Sequence, residues 1–79
     1  MKDFLEYIAK GLVDKPDAVS VEVDDDEDET VLTLRVDQED MGRVIGRDGR
    51  IANAIRSLLR VMATRDGRHV ELEIVSDAE

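Results

Sequence analysis

Seventy-nine residues are the size of one small domain, and a chain this short buries only about 60% of its unfolded surface, so its margin of stability is narrow. With no cysteine and one histidine there is no disulfide framework, no thiolate nucleophile and no expected zinc site, and no apolar run approaches the roughly 18 residues of a membrane span. A soluble, cytoplasmic protein without a signal peptide is expected, and the net charge of −9 argues at first sight against a polyanionic partner.

Phe4, Leu5, Ile8, Leu12 and Val13 recur at helical spacing with Glu6, Lys10 and Asp14 between them, which predicts an amphipathic helix ending before Pro16. Val19, Val21 and Val23 alternate with Ser20, Glu22 and Asp24, and Leu32, Leu34 and Val36 alternate with Thr33 and Arg35. Both patterns have the period of a half-buried strand and predict a hairpin. Its loop is the acidic run Asp24 to Glu29. A calcium loop starting at Asp24 would need glycine at its sixth position and glutamate at its twelfth, but Glu29 and Arg35 stand there. The run therefore reads as a solvated loop that discourages edge aggregation.

Asp37 or Asp40 can cap a short helix carrying Met41, Val44 and Ile45, cut off at Gly46. A longer helix begins near Gly49 or Arg50, carries Ile51, Ala54, Ile55, Leu58, Leu59 and Met62 on one stripe with Arg56 and Arg60 off it, and stops near Thr64. After the Asp66-Gly67 turn, Val70, Leu72 and Ile74 alternate with His69, Glu71 and Glu73 as a last strand. The order helix-strand-strand-helix-helix-strand predicts an α+β domain, a three-stranded mixed sheet covered by helices on one face. The two consecutive helices supply the crossover that a parallel strand pair requires.

The charge is unevenly spread. Residues 41–68 hold seven basic and two acidic side chains, and all seven cations are arginine: Arg43, Arg47, Arg50, Arg56, Arg60, Arg65 and Arg68. The arginine fork matches phosphate oxygens bidentately and stacks on bases. Within this stretch, Val44-Ile45-Gly46-Arg47-Asp48-Gly49-Arg50-Ile51 sets two glycines three apart between two helices. Glycine permits a tight turn that a ligand can approach without meeting a Cβ, and the following helix N-terminus favours an anion. Gly42, Gly46 and Gly49 do not form G-x-G-x-x-G, and no Lys-Ser or Lys-Thr follows, so a nucleotide-binding loop is excluded.

With those residues in place, the chain resembles a KH domain of type II, and its closest resemblance is to the bacterial stand-alone KH proteins of the KhpA (YlqC-like) family. Asp40-Met41-Gly42-Arg43-Val44-Ile45-Gly46-Arg47 is similar to the signature that family carries into its loop. The resemblance covers residues 1–79 as a single KH domain, with a core unit at about 30–75 and the G-x-x-G loop at 46–49. It implies a single-stranded RNA-binding protein of low sequence preference, a chaperone or post-transcriptional regulator of RNA. By position, Gly46, Arg47, Asp48 and Gly49 would lie under the sugar-phosphate backbone, with Arg43 and Arg50 as flanking phosphate contacts. Val44, Ile45, Ile51 and Ile55 would line the groove for bases, with the last strand as its other wall. Each of those four is equally readable as ordinary core. Asp48 departs from more basic loops and weakens the expected grip.

Two other readings compete. Ser20, Ser57 and Ser76 share one histidine, His69, on a strand face, so no acid-base pair emerges, and an enzyme would need a substrate-sized pocket that is not expected. A protein-interaction module on the same fold is the stronger rival. The resembling family forms homodimers and pairs with a second KH-containing protein (KhpB, also named Jag or EloR), and the long helix is apolar enough to serve.

Overall fold

Alternation resolves into three strands, β1 (Ser20–Asp25), β2 (Glu29–Val36) and β3 (His69–Ser76), in the order β1-β2-β3. The structure is a computed structural model that describes residues 1–77. The central β2 alternates buried Thr30, Leu32, Leu34 and Val36 with half-exposed Glu29, Val31, Thr33 and Arg35. It pairs antiparallel with β1, setting Leu34 opposite Val21, and parallel with β3, setting Leu32 opposite Leu72. The mixed pairing is what a tight hairpin on one side and a helical crossover on the other impose.

Helices α1 (Lys2–Leu12), α2 (Met41–Ile45) and α3 (Arg50–Arg65) cover one face of the sheet. From α1, Leu5 and Ala9 are buried; the helix gives way at Val13, and Pro16 opens a single 3₁₀ turn, where its fixed φ and missing N–H are tolerated. Leu5, Leu32, Leu34, Val36, Val44 and Leu59 have no solvent exposure and form the centre of the core. The opposite sheet face carries Glu22, Asp24, Thr33, Arg35, Glu71 and Glu73, the alternate positions of the same strands.

Two details depart from the sequence pattern. On β1 only Val21 is buried, while Val23 lies beyond the helices and is 43% exposed. The inward stripe of α3 is Ala52, Ile55, Leu59 and Ala63; Ala54 and Leu58 turn to solvent, and Ile51 and Met62 are half-buried. Alanine is compatible with either face of a helix, so the phase of the stripe depends on how closely the helix approaches the sheet. Small Ala52 and Ala63 permit that approach.

Candidate nucleic-acid interface

Five residues of α2 end at Gly46, whose N–H donates to the Gly42 carbonyl at 2.9 Å. Gly46 has φ 79° and ψ 173°, a region open essentially to glycine alone. A Cβ there would stand 2.7 Å from Ile51 Cγ1 and 2.9 Å from the Ile51 nitrogen. Asp48 (φ 59°) and Gly49 (φ 77°) are also left-handed, and Asp48 is the only non-glycine residue with positive φ among the described residues. Aspartate tolerates that conformation better than most side chains.

The loop's donors divide into two sets. Gly49 N–H donates to the Gly46 carbonyl at 3.2 Å, and Arg50 N–H donates to the Arg47 carbonyl, so these amides serve the turn itself. The N–H groups of Arg47 and Asp48 have no acceptor among the described residues, and both residues are exposed. Two adjacent main-chain donors at the tip of a loop, with no Cβ on either flank, form a small concavity suited to an anion. The arginines beside it sharpen the point. Among the described residues the arginine ion pairs belong to Arg35, Arg43 and Arg68. Arg47, Arg50, Arg56, Arg60 and Arg65 have no carboxylate partner among the described residues.

Arg43 differs from its expected place beside the loop. Its Nη2 lies 2.8 Å from Asp14 and its Nε donates to Asp40 Oδ1 at 3.2 Å, so it faces the linker between α1 and β1. Arg68 likewise leaves the cationic set. Its guanidinium donates to Thr30 Oγ1 (3.1 Å), to Asp25 (3.1 Å) and to the carbonyls of Asp26 (2.8 Å), Glu27 (3.3 Å) and Glu29 (3.2 Å). The acidic run is thus a loop wrapped on one arginine. Val44 is fully buried and Ile55 is 3% exposed, so neither offers a surface to a base; apolar surface next to the loop comes from half-buried Ile45 and Ile51.

Asp40 is a second departure from local expectation. Asp37 caps the 3₁₀ turn Gln38–Asp40 that leads into α2, accepting the Glu39 N–H at 2.8 Å, whereas Asp40 stands at the N-cap position of α2 without capping it and, 2% exposed, accepts the Asp14 N–H (3.2 Å) and Lys15 N–H (3.1 Å) as well as Arg43. It fastens the α1–β1 linker to the root of α2 and so fixes where the loop begins. Lys15 adds surface contacts to Glu39 (3.0 Å) and Asp37 (3.6 Å); the Glu39 hydrogen bond, then the Asp37 charge, raise its pKa above 10.5.

Elsewhere, Glu29, His69 and Glu71 bring three possible donors within 4.8 Å on the far sheet face, a set that one histidine in the sequence does not announce. All three are at least partly exposed, and His69 Nε2 lies 3.1 Å from Glu71. An open cleft of about 560 Å³ between Met1, Lys2 and the hairpin corrects the expectation that no substrate-sized pocket exists. Its polar groups Thr30, Asp25 and Arg68 are bonded to one another. Among the described residues no helix is long and apolar enough to cross a membrane.

A family model of the KhpA/KhpB KH domain matches residues 2–74. The chain belongs to that KH-domain family. Relatives named RNA-binding protein KhpA include one from Borreliella burgdorferi, 51% identical over 92% of this chain and 89% of its own. Another from Clostridium acetobutylicum is 48% identical over 95% and 100%, and one from Chlamydia trachomatis is 43% identical over 98% and 99%. The family is one of RNA-binding proteins and not of enzymes. The fold is similar to part of Era, solved in complex with MgGDPNP and nucleotides 1506–1542 of 16S ribosomal RNA. That likeness has a TM-score of 0.54 at 21% identity and covers 95% of this chain and 29% of that one. The helix-strand-strand-helix-helix-strand order with a mixed sheet is the type II form of the KH fold.

Proposed function

We propose that this KH domain, acting as one unit over residues 1–79, binds single-stranded RNA by clamping its backbone on the loop Gly46–Gly49. The carrying observation is the pair of unpartnered N–H groups at Arg47 and Asp48, set between two left-handed glycines. A KH loop of this kind holds about four nucleotides. Here a phosphate would meet two amides and the unpaired Arg47 and Arg50. Arg43 stays a contact only if RNA draws it from Asp14. Ile45 and Ile51 give a base aliphatic surface, while Val44 and Ile55 act as the floor beneath them. Because phosphate contacts carry little base information, sequence preference is low. The Asp48 carboxylate sits inside the clamp and lowers affinity at a distance where salt screens little. The role that fits is a cytoplasmic RNA chaperone or post-transcriptional regulator.

Titration of a labelled single-stranded RNA against wild type and Arg47→Asp at two salt concentrations tests the reading. Wild type should show log K falling with log salt by about 0.7 per phosphate contacted, and the variant should bind about tenfold more weakly. Equal affinities would remove the loop from the interface.

A second reading concerns partners. On the outward face of α3, Leu58 is 49% and Val61 63% exposed, with Ala54 one turn from Leu58. This face would pair with a second copy or with a KhpB/Jag/EloR-like KH protein, and two clamps on one RNA would add avidity. Sedimentation of wild type against Leu58→Glu checks it: the variant should run as a monomer where wild type is a dimer. If self-association persists while RNA binding is absent, the interaction module becomes the better description.

A further inference from the structure

We infer that Glu29, His69 and Glu71 form a binding site for a divalent transition-metal ion of the zinc type, a staple across the sheet on the face away from the helices. Their placement follows from backbone register. β2 and β3 run parallel with Glu29 opposite His69 and Val31 opposite Glu71, so His69 meets one carboxylate across the strands and the other along its own strand. With Thr30, Val70 and Leu72 buried, all three residues point outward. One ligand atom from each lies within 4.8 Å of the others. His69 Nε2 is 3.1 Å from Glu71 Oε1 and 3.9 Å from Glu29 Oε2.

Two exposed carboxylates on a sheet are commonplace; the imidazole set against both is what points to a metal and to its kind. Magnesium and calcium take oxygen ligands, whereas an imidazole nitrogen with two carboxylate oxygens suits zinc and its neighbours. Zinc at about 2.0–2.2 Å from each donor wants the donors roughly 3.3–3.5 Å apart, so the set closes on an ion by small rotations of solvated glutamate side chains. Where Nε2 carries the proton, the 3.1 Å contact is a hydrogen bond to Glu71, and zinc takes that proton's place as it shifts to Nδ1. Neither carboxylate has a lysine or arginine ion-pair partner among the described residues, and Arg68, next to His69 in sequence, is turned to Asp25 and Thr30. The ion therefore enters uncompensated negative charge, in a chain of net charge −9. The backbone is held before any ion arrives. His69 N–H donates to the Asp28 carbonyl at 3.0 Å, and the Glu29 carbonyl accepts the Asp26 N–H at 2.7 Å and Arg68 at 3.2 Å. Water completes the coordination on the solvent side, and the ion ties β2 to β3 where the sheet meets the acidic loop.

The test is isothermal titration of the EDTA-stripped chain with zinc chloride and with magnesium chloride, alongside NMR of the His69 ring. The chain is untagged, since a histidine tag would itself bind zinc. The proteins are wild type, His69→Ala, Glu71→Gln and Glu73→Gln, the last an acid on the same exposed face but outside the set. All three positions are solvent-exposed, and the melting temperature in EDTA reports that each variant folds. Wild type should take one zinc per chain, with the His69 ring signals shifting on the same isotherm and Tm rising by about 5–10 °C at zinc about ten times Kd. His69→Ala should bind at least about tenfold more weakly and Glu71→Gln about tenfold, with Glu73→Gln within about twofold of wild type. Magnesium in about hundredfold excess should leave zinc in place. Wild-type affinity in His69→Ala, an equal loss in Glu73→Gln, displacement by magnesium, or no binding by wild type at about 1 mM zinc would each overturn the site. None of these outcomes bears on the RNA reading.

Discussion

The loop at residues 46–49 and the hairpin loop at residues 25–29 are both short, charged and on the surface, but they differ in what their polar groups do. At the hairpin loop one guanidinium, Arg68, donates five hydrogen bonds to two side chains and three carbonyls, so the most acidic run of the chain is tied down. In the G-x-x-G loop the middle two amides have no acceptor, and Arg47 and Arg50 no carboxylate, among the described residues. Charge density alone ranks the hairpin loop as the more reactive. Satisfaction of donors and acceptors ranks them the other way, because a group already bonded inside the protein must break that bond before it can bind anything else.

The contrast can be broken at three places. Gly46→Ala should have the largest effect, about 3 kcal/mol of stability, since the new Cβ meets Ile51 backbone as well as side chain at a φ of 79°. Chemical denaturation of the variant checks this, and a loss below about 0.5 kcal/mol would mean the loop re-forms with its amides elsewhere. Arg68→Ala comes next, at about 1–2 kcal/mol, reduced because the freed carbonyls can take water. RNA affinity of this variant should stay within about twofold, as the 16 residues of α3 run about 24 Å from the clamp to the Arg68 end of the fold, beyond the roughly 8 Å screening length; a large change would mean that the two loops communicate. Asp48→Asn should be the mildest and the most informative. Asparagine accepts the left-handed backbone, so the melting temperature should hardly move, whereas removing the carboxylate beside Arg47 should tighten RNA about threefold. A tighter variant of unchanged stability would separate the loop's electrostatics from its shape.

Much of this architecture is legible locally. Period-two patterns at Leu32, Leu34 and Val36 and at Val70 and Leu72 mark the strands, and two glycines with their arginines mark the loop. The misreadings share one cause. Arg43 and Arg68 look like members of the cationic cluster, yet besides the nearby Asp40 on Arg43 their acids are Asp14 and Asp25, 29 and 43 residues away in sequence. Asp40 looks like a helix cap, yet two of the three donors that bury it lie 26 and 25 residues back. Leu58 reads as core, yet Ala52 and Ala63 set the buried stripe of α3.

By itself the amino-acid order determined the sequence of helices and strands, the crossover and the bend at Gly46–Gly49, because each depends on dihedral preference and apolar period within a few residues. Only the tertiary structure decided which of seven arginines remain available to a polyanion. A guanidinium reaches far enough that its partner is chosen by whichever carboxylate the fold brings within hydrogen-bonding distance, and that choice is made across the whole chain.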